Sequence, residues 1–116
     1  MTDMQFYDIL SDALAKKEAS REAFISNWAL SSIWGDGDDT DISQERLDEI
    51  GKIWDVAHMT IRDIRQYTGL SQVKFAIRFY IPRRTVEDWE SGARTCPDYV
   101  RLLLAQAAGL FERKYA

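Results

Sequence analysis

Apolar residues recur along this chain at helical spacing from one end to the other. Phe6, Ile9, Leu10, Ala13 and Leu14 form a first series that fades into Lys16, Lys17 and Glu18, and a period near 3.6 predicts an amphipathic helix. Ser20 offers an N-cap to a second helix through Phe24, Ile25, Trp28, Ala29 and Ile33, ending near Gly35. Glu22 falls in its first turn, where the helix dipole favours a carboxylate. The stretch GDGDDTDIS holds two glycines and four aspartates, which predicts a solvated loop carrying the cap of a third helix at Ser43. Leu47, Ile50, Trp54 and Ala57 mark one face of that helix.

The pattern restarts at AHMTIRD. Thr60 followed by Asp63 is a capping-box-like start, Ile61, Ile64 and Arg65 share the inner face, and Gly69 stands where a helix needs a left-handed terminator. Ser71 caps the next helix, which turns Phe75, Ala76 and Phe79 inward. Pro82 suits a first helical position because its missing N–H has no intrahelical partner there, so a short helix is expected from Pro82 to about Ser91, followed by Gly92. Pro97 starts the last helix, with an expected stripe of Val100, Leu103, Leu104, Ala107 and Ala108 reaching toward Phe111. The fold class read from this is all-α: a small helical bundle with an N-terminal helical extension over 1–57 and a C-terminal domain over 58–116.

Length and composition predict one domain with room for a small appendage: 116 residues, 46% hydrophobic and 29% charged. No apolar run is long enough to span a membrane. The opening MTDMQFYDIL lacks the features of a signal peptide, so a cytoplasmic location and no membrane partner are expected. One cysteine, Cys96, and one histidine, His58, provide neither an internal disulfide nor the usual zinc cage. A calcium loop starting at Asp36 fails on spacing, since Asp41 takes the place of the sharp-turn glycine and Leu47 that of the bidentate glutamate. No cofactor, no metal and no catalytic residue is expected, because Cys96 and His58 have no partner for nucleophilic chemistry in motif context.

Charge changes this picture. The net charge of −4 conceals a division: residues 1–59 carry −8, residues 60–101 carry +3 and residues 102–116 carry +1. An acidic front joined to a basic rear points to an anionic partner for the rear half. On the short helix after Pro82, Val86, Trp89 and Glu90 lie on one side while Arg84 and Asp88 project from the other, with Arg83, Thr85 and Glu87 at the edges. A helix anchored by valine and tryptophan and displaying two arginines near its N-terminus suits a major groove, where guanidinium forks match guanine O6 and N7.

At these residues, GLSQVKFAIRFYIPRRTVEDWESG, the chain resembles the phage-repressor-like helix-turn-helix family of Cro, lambda repressor and the xenobiotic-response-element type. The matching positions are Gly-Leu-Ser-Gln, Phe-Ala, Ile-Pro-x-Arg-Thr-Val and Trp-Glu-x-Gly, and the likeness covers 58–110. It implies sequence-specific binding of double-stranded DNA by a bacterial or phage transcriptional regulator acting as a homodimer on a palindromic site. It implies that Ser71 and Gln72 meet phosphates or a base edge, that Arg83, Arg84, Thr85 and Asp88 occupy recognition-helix positions, and that Ser91 and Arg94 approach the backbone. It further implies a largely buried ion pair between Arg65 and Glu90. The sequence departs from the family at Tyr80, where glycine is frequent at a turn position that favours positive φ. It also places three carboxylates, Glu87, Asp88 and Glu90, on the helix that faces a polyanion. Arg83 with Glu87, and Arg84 with Asp88, are four apart and able to pair.

Two other readings compete. In one, the acidic N-terminal helices form a protein-interaction module of antitoxin or inhibitor type, with the helix-turn-helix secondary or repurposed. In the other, the rear half is a four-helix cluster with solvated arginines. Trp28, Trp34 and Trp54 offer either a partner-binding patch or core packing, and core is the reading for Trp54.

Overall fold

The computed structural model describes residues 1–35 and 41–113. The acidic loop and the rejected calcium site fall largely on residues 36–40, outside the described residues. The fold is all-α, and the described residues hold seven α-helices and no strand. They separate into two compact units, Met1–His58 and Met59–Ala116.

The first unit contains α1 (Asp3–Ala15), α2 (Arg21–Ala29) and α3 (Gln44–Ala57). Each starts on a hydroxyl cap, from Thr2, Ser20 and Ser43, whose oxygen accepts the backbone N–H three residues on. Both α1 and α2 pack on α3, and Ile9, Ala13, Phe24, Ala29, Ile50, Ile53 and Ala57 make the core. The second helix is shorter than its pattern predicts. It stops at Ala29, and Ile33 belongs to a separate 3₁₀ turn, Ser32–Trp34, closed by Gly35 at φ 71°. Ser31 caps that turn, accepting the Ile33 N–H, so the serine-rich run restarts the backbone rather than continuing it.

The three tryptophans of this unit pack against its core, each only partly buried. Trp54 lies 5.1 Å from Phe24 between ring centroids. The indole N–H of Trp28 donates to Asp12 and that of Trp34 to the Trp28 carbonyl. Arg21 grips Asp55 through two bonds of 2.8 and 3.1 Å. Its guanidinium crosses α3 at Gly51, where a Cβ would stand 2.5 Å from Nη2.

The second unit contains α4 (Ile61–Thr68), α5 (Gln72–Phe79), α6 (Arg83–Ser91) and α7 (Asp98–Ala107). Thr60 and Asp63 complete a reciprocal capping box on α4, and Gly69 ends that helix at φ 74°. Helix α6 packs on α5 and α4, and α7 packs on α4. Ile61, Ile64, Phe75, Ala76, Val86, Leu104 and Ala105 are buried.

Three details differ from expectation. Pro82 is the N-cap of α6 rather than its first helical residue, with an extended ψ of 133°. Its carbonyl accepts the N–H groups of Thr85 and Val86. The ring fixes φ for either role, and ψ decides which. On α7 the buried face is Arg101, Leu104 and Ala105, whereas Leu103 is 62% exposed and Ala107 is also exposed. The inner face is rotated because Arg101, which an apolar pattern excludes, reaches inward to donate to the Met59 carbonyl at 2.7 Å. The helix ends at Ala107, short of Phe111, and Gly109 follows at φ 90°.

Candidate functional site

The site is built on α5, a three-residue turn and α6. Ser71 starts α5 by accepting the Lys74 N–H at 3.2 Å. The helix closes at Tyr80, which takes the left-handed conformation at φ 54°, ψ 50°. The Ile81 N–H reaches back to the Ala76 carbonyl at 2.8 Å and the Tyr80 N–H to that of Ile77 at 3.3 Å, the bond pair of a Schellman termination. A glycine would adopt this conformation at no steric cost, and here a tyrosine does so at a residue 98% exposed. The turn is therefore made by backbone bonding, with the aromatic ring left in solvent.

On α6, Val86 is fully buried and Trp89 half-buried, so the helix is held along this seam. Glu90 extends the anchored side. Its side chain is 1% exposed, and its two oxygens each accept from Arg65 at 2.8 Å, one from Nε and one from Nη2. Arg62 adds a third bond at 3.3 Å. Arg65 also donates to the Leu70 carbonyl, so one guanidinium ties α6 to both α4 and the turn after it. Hydrogen bonding from Arg65, against an opposing effect of burial, holds the Glu90 carboxyl below the usual carboxylate range, with smaller help from Arg62 and the Gln72 amide. The same bond raises the Arg65 guanidinium.

The opposite side of α6 is polar and paired. Arg83 and Arg84 have side chains 66% and 81% exposed. Arg83 Nε donates to Glu87 at 3.1 Å, and Arg84 Nε donates to Asp88 Oδ1 at 3.2 Å. Asp88 does not project freely as expected. Its side chain is only 16% exposed, because Arg94 closes on its other oxygen at 3.1 Å and the Arg94 N–H bonds its carbonyl at 3.2 Å. Burial pushes the Asp88 carboxyl up, yet the hydrogen bonds from Arg94 and Arg84 outweigh it and hold the group below its ordinary range. Gly92 at φ 84° makes the reversal that returns Arg94 to the helix.

The remaining site residues have local tasks. Ser91 donates to the Asp88 carbonyl and accepts the Ala93 N–H. Thr85 is half-buried, and Gln72, also half-buried, directs its amide to Glu90. Arg83, Arg84 and Arg94 thus gather around Glu87 and Asp88 on one face, while Arg65 and Glu90 fasten the other. Arg62 on Glu90 and Arg94 on Asp88 were missed from sequence. The first is a tertiary contact over 28 residues, and the second depends on the bend at Gly92.

The two isolated reactive residues are also accounted for. Burial pushes the Cys96 thiol up, the opposite of what an activated thiolate needs. The His58 ring stacks on Trp54 at 3.9 Å with Nδ1 on the Trp54 carbonyl. In comparisons with known proteins, no family model, no curated protein and no solved structure matches the chain.

Proposed function

We propose that this protein binds double-stranded DNA sequence-specifically through α6, as a transcriptional regulator of the bacterial or phage helix-turn-helix kind. The observation that carries the reading is a short helix clamped on one side by Val86 and the Arg65–Glu90 fork while Arg83 and Arg84 stand exposed at its N-terminal end. Their carboxylate partners do not block this use. Ion pairs at such exposure are worth about 0 to 1 kcal/mol, whereas a bidentate arginine–guanine contact discriminates by about 1 to 3 kcal/mol. The start of α5, with Ser71 and Gln72, supplies helix N–H groups suited to a phosphate. Two copies on a palindrome would set their recognition helices roughly 34 Å apart.

Selection of bound duplexes from a random pool, followed by a salt series on the enriched sequence, tests this. The expected result is an enriched motif whose log affinity falls linearly with log salt. Arg84→Ala should weaken the preferred site by about 10- to 100-fold and random duplex far less. A pool that enriches nothing would overturn the proposal.

One observation favours a second reading. Met4, Tyr7 and Leu30 are 66 to 75% exposed in the acidic first unit, which suits contact with another protein. That reading gains if no duplex is selected.

A further inference from the structure

Asp88 is bonded to two arginines that approach from different parts of the chain, one a turn earlier on α6 and one beyond its end. It is also the least exposed of the three residues, at 16% against 81% for Arg84 and 59% for Arg94. The acceptor is thus built into the protein surface, and the two donors are its more exposed partners. From this geometry we infer that Asp88 is an autoinhibitory latch: an internal anion that occupies Arg84 and Arg94 and so competes with any duplex for both cations. The inference rests on the DNA-binding reading proposed above.

Displacement of the latch depends on what the duplex offers. Arg84 holds Asp88 through Nε at 3.2 Å. A phosphate offers two charged oxygens to the fork and replaces that bond charge for charge. A guanine presents O6 and N7 together, which satisfies the guanidinium fork by two parallel bonds. Any duplex that takes Arg84 must first break its bond to Asp88, so the carboxylate lowers affinity for cognate and random duplex alike. Arg94 behaves likewise, with the difference that its main-chain bond to the Asp88 carbonyl keeps it beside the helix after its side chain lets go. Two cations are therefore withheld until a duplex supplies a better partner for one of them.

The test compares wild type with Asp88→Asn on the selected duplex and on a random duplex of equal length. Releasing two partly exposed pairs should raise random-duplex affinity about 3- to 10-fold. The log–log salt slope should steepen by about one to two phosphate contacts, and the selected duplex should gain at least as much as the random one. Loss of one negative charge beside a polyanion also raises affinity, so the same substitution is made in an Arg84→Ala, Arg94→Ala background. A latch predicts that the gain shrinks at least threefold there, and a gain of the same size overturns it. Asp88→Ala, which favours helix, repeats the comparison if the asparagine variant folds poorly.

A second readout needs no DNA. The Nε–H resonances of Arg84 and Arg94 in 15N-edited spectra should both shift on Asp88→Asn, and silence from either overturns the inference. If the resonances respond while wild type and variant bind neither duplex, the proposed function fails and the latch with it. If wild type discriminates between duplexes and the variant binds neither duplex more tightly than wild type, only the latch fails.

Discussion

Glu90 and Arg65 meet as a two-bond fork, 2.8 Å at each bond, across 25 residues of sequence and with the carboxylate almost wholly out of solvent. Removing the cation leaves a buried anion with the weaker, more exposed Arg62 contact and the Gln72 amide. Arg65→Ala should therefore cost about 3 to 5 kcal/mol, read as a lowered urea midpoint of the transition that reports the second unit. Arg65→Lys, which keeps charge but loses the fork, should fall between. A loss below about 1 kcal/mol for the alanine variant would mean that the pair is not buried in solution.

The same pair gives a pH signature. The Glu90 carboxyl is lowered in the folded protein, so its stabilisation is complete above the unfolded value of about 4.3 and disappears as pH falls through the lower folded value. The stability difference between wild type and Glu90→Gln should be constant from neutral pH to about 5. It should then close on further acidification. A difference that stays constant down to pH 2 would assign the effect of the substitution to shape rather than charge.

Tyr80 should tolerate replacement by glycine with a gain. A non-glycine residue in the left-handed region costs about 1 to 2 kcal/mol, and glycine costs about 0.5 to 1 kcal/mol in unfolded-chain entropy. With the ring 98% exposed, no packing is lost. Tyr80→Gly is expected to stabilise by roughly 0.5 to 1 kcal/mol in denaturant titration. Destabilisation would show that the ring has a contact in solution.

Arg101 is expected to be structural. Its Nη1 donates to the Met59 carbonyl at 2.7 Å and Nη2 reaches Asp98 at 3.4 Å. Arg101→Leu should cost about 1 to 3 kcal/mol by stripping the carbonyl of this donor, while leaving the ratio of preferred-site to random-duplex affinity unchanged. A changed ratio would place Arg101 in the recognition surface.

The helices were legible where cap and period agree. Thr60 with Asp63, Ser71 with its inward Phe75, and Gly69 after Thr68 each combine a local hydrogen-bonding rule with an apolar face, and each element stands where those rules put it. Legibility failed where a polar residue is inside or a cap interrupts an apolar series. Arg101 looks solvated because no local rule reveals the Met59 carbonyl it serves, 42 residues away. Ile33 looks like a continuation of α2 because apolar spacing ignores the restart at Ser31. In the site, the i,i+4 spacing of Arg83 with Glu87 and of Arg84 with Asp88 announces their contacts. The closing of Arg94 on Asp88 has no such signal, since it needs the positive φ of Gly92 to bring the chain back.

The chain's four tryptophans are unevenly shared: Trp28, Trp34 and Trp54 pack against the core of the first unit, and Trp89 alone lies on α6. Biosynthetic incorporation of 5-fluorotryptophan would consequently give the two halves separate 19F signals, with the α6 line identified by its disappearance in Trp89→Phe. A duplex oligonucleotide engaged by α6 should move that single line, whereas a ligand gripping the acidic half should disturb the other three, so one titration tells the investigator which end of the polypeptide has been touched.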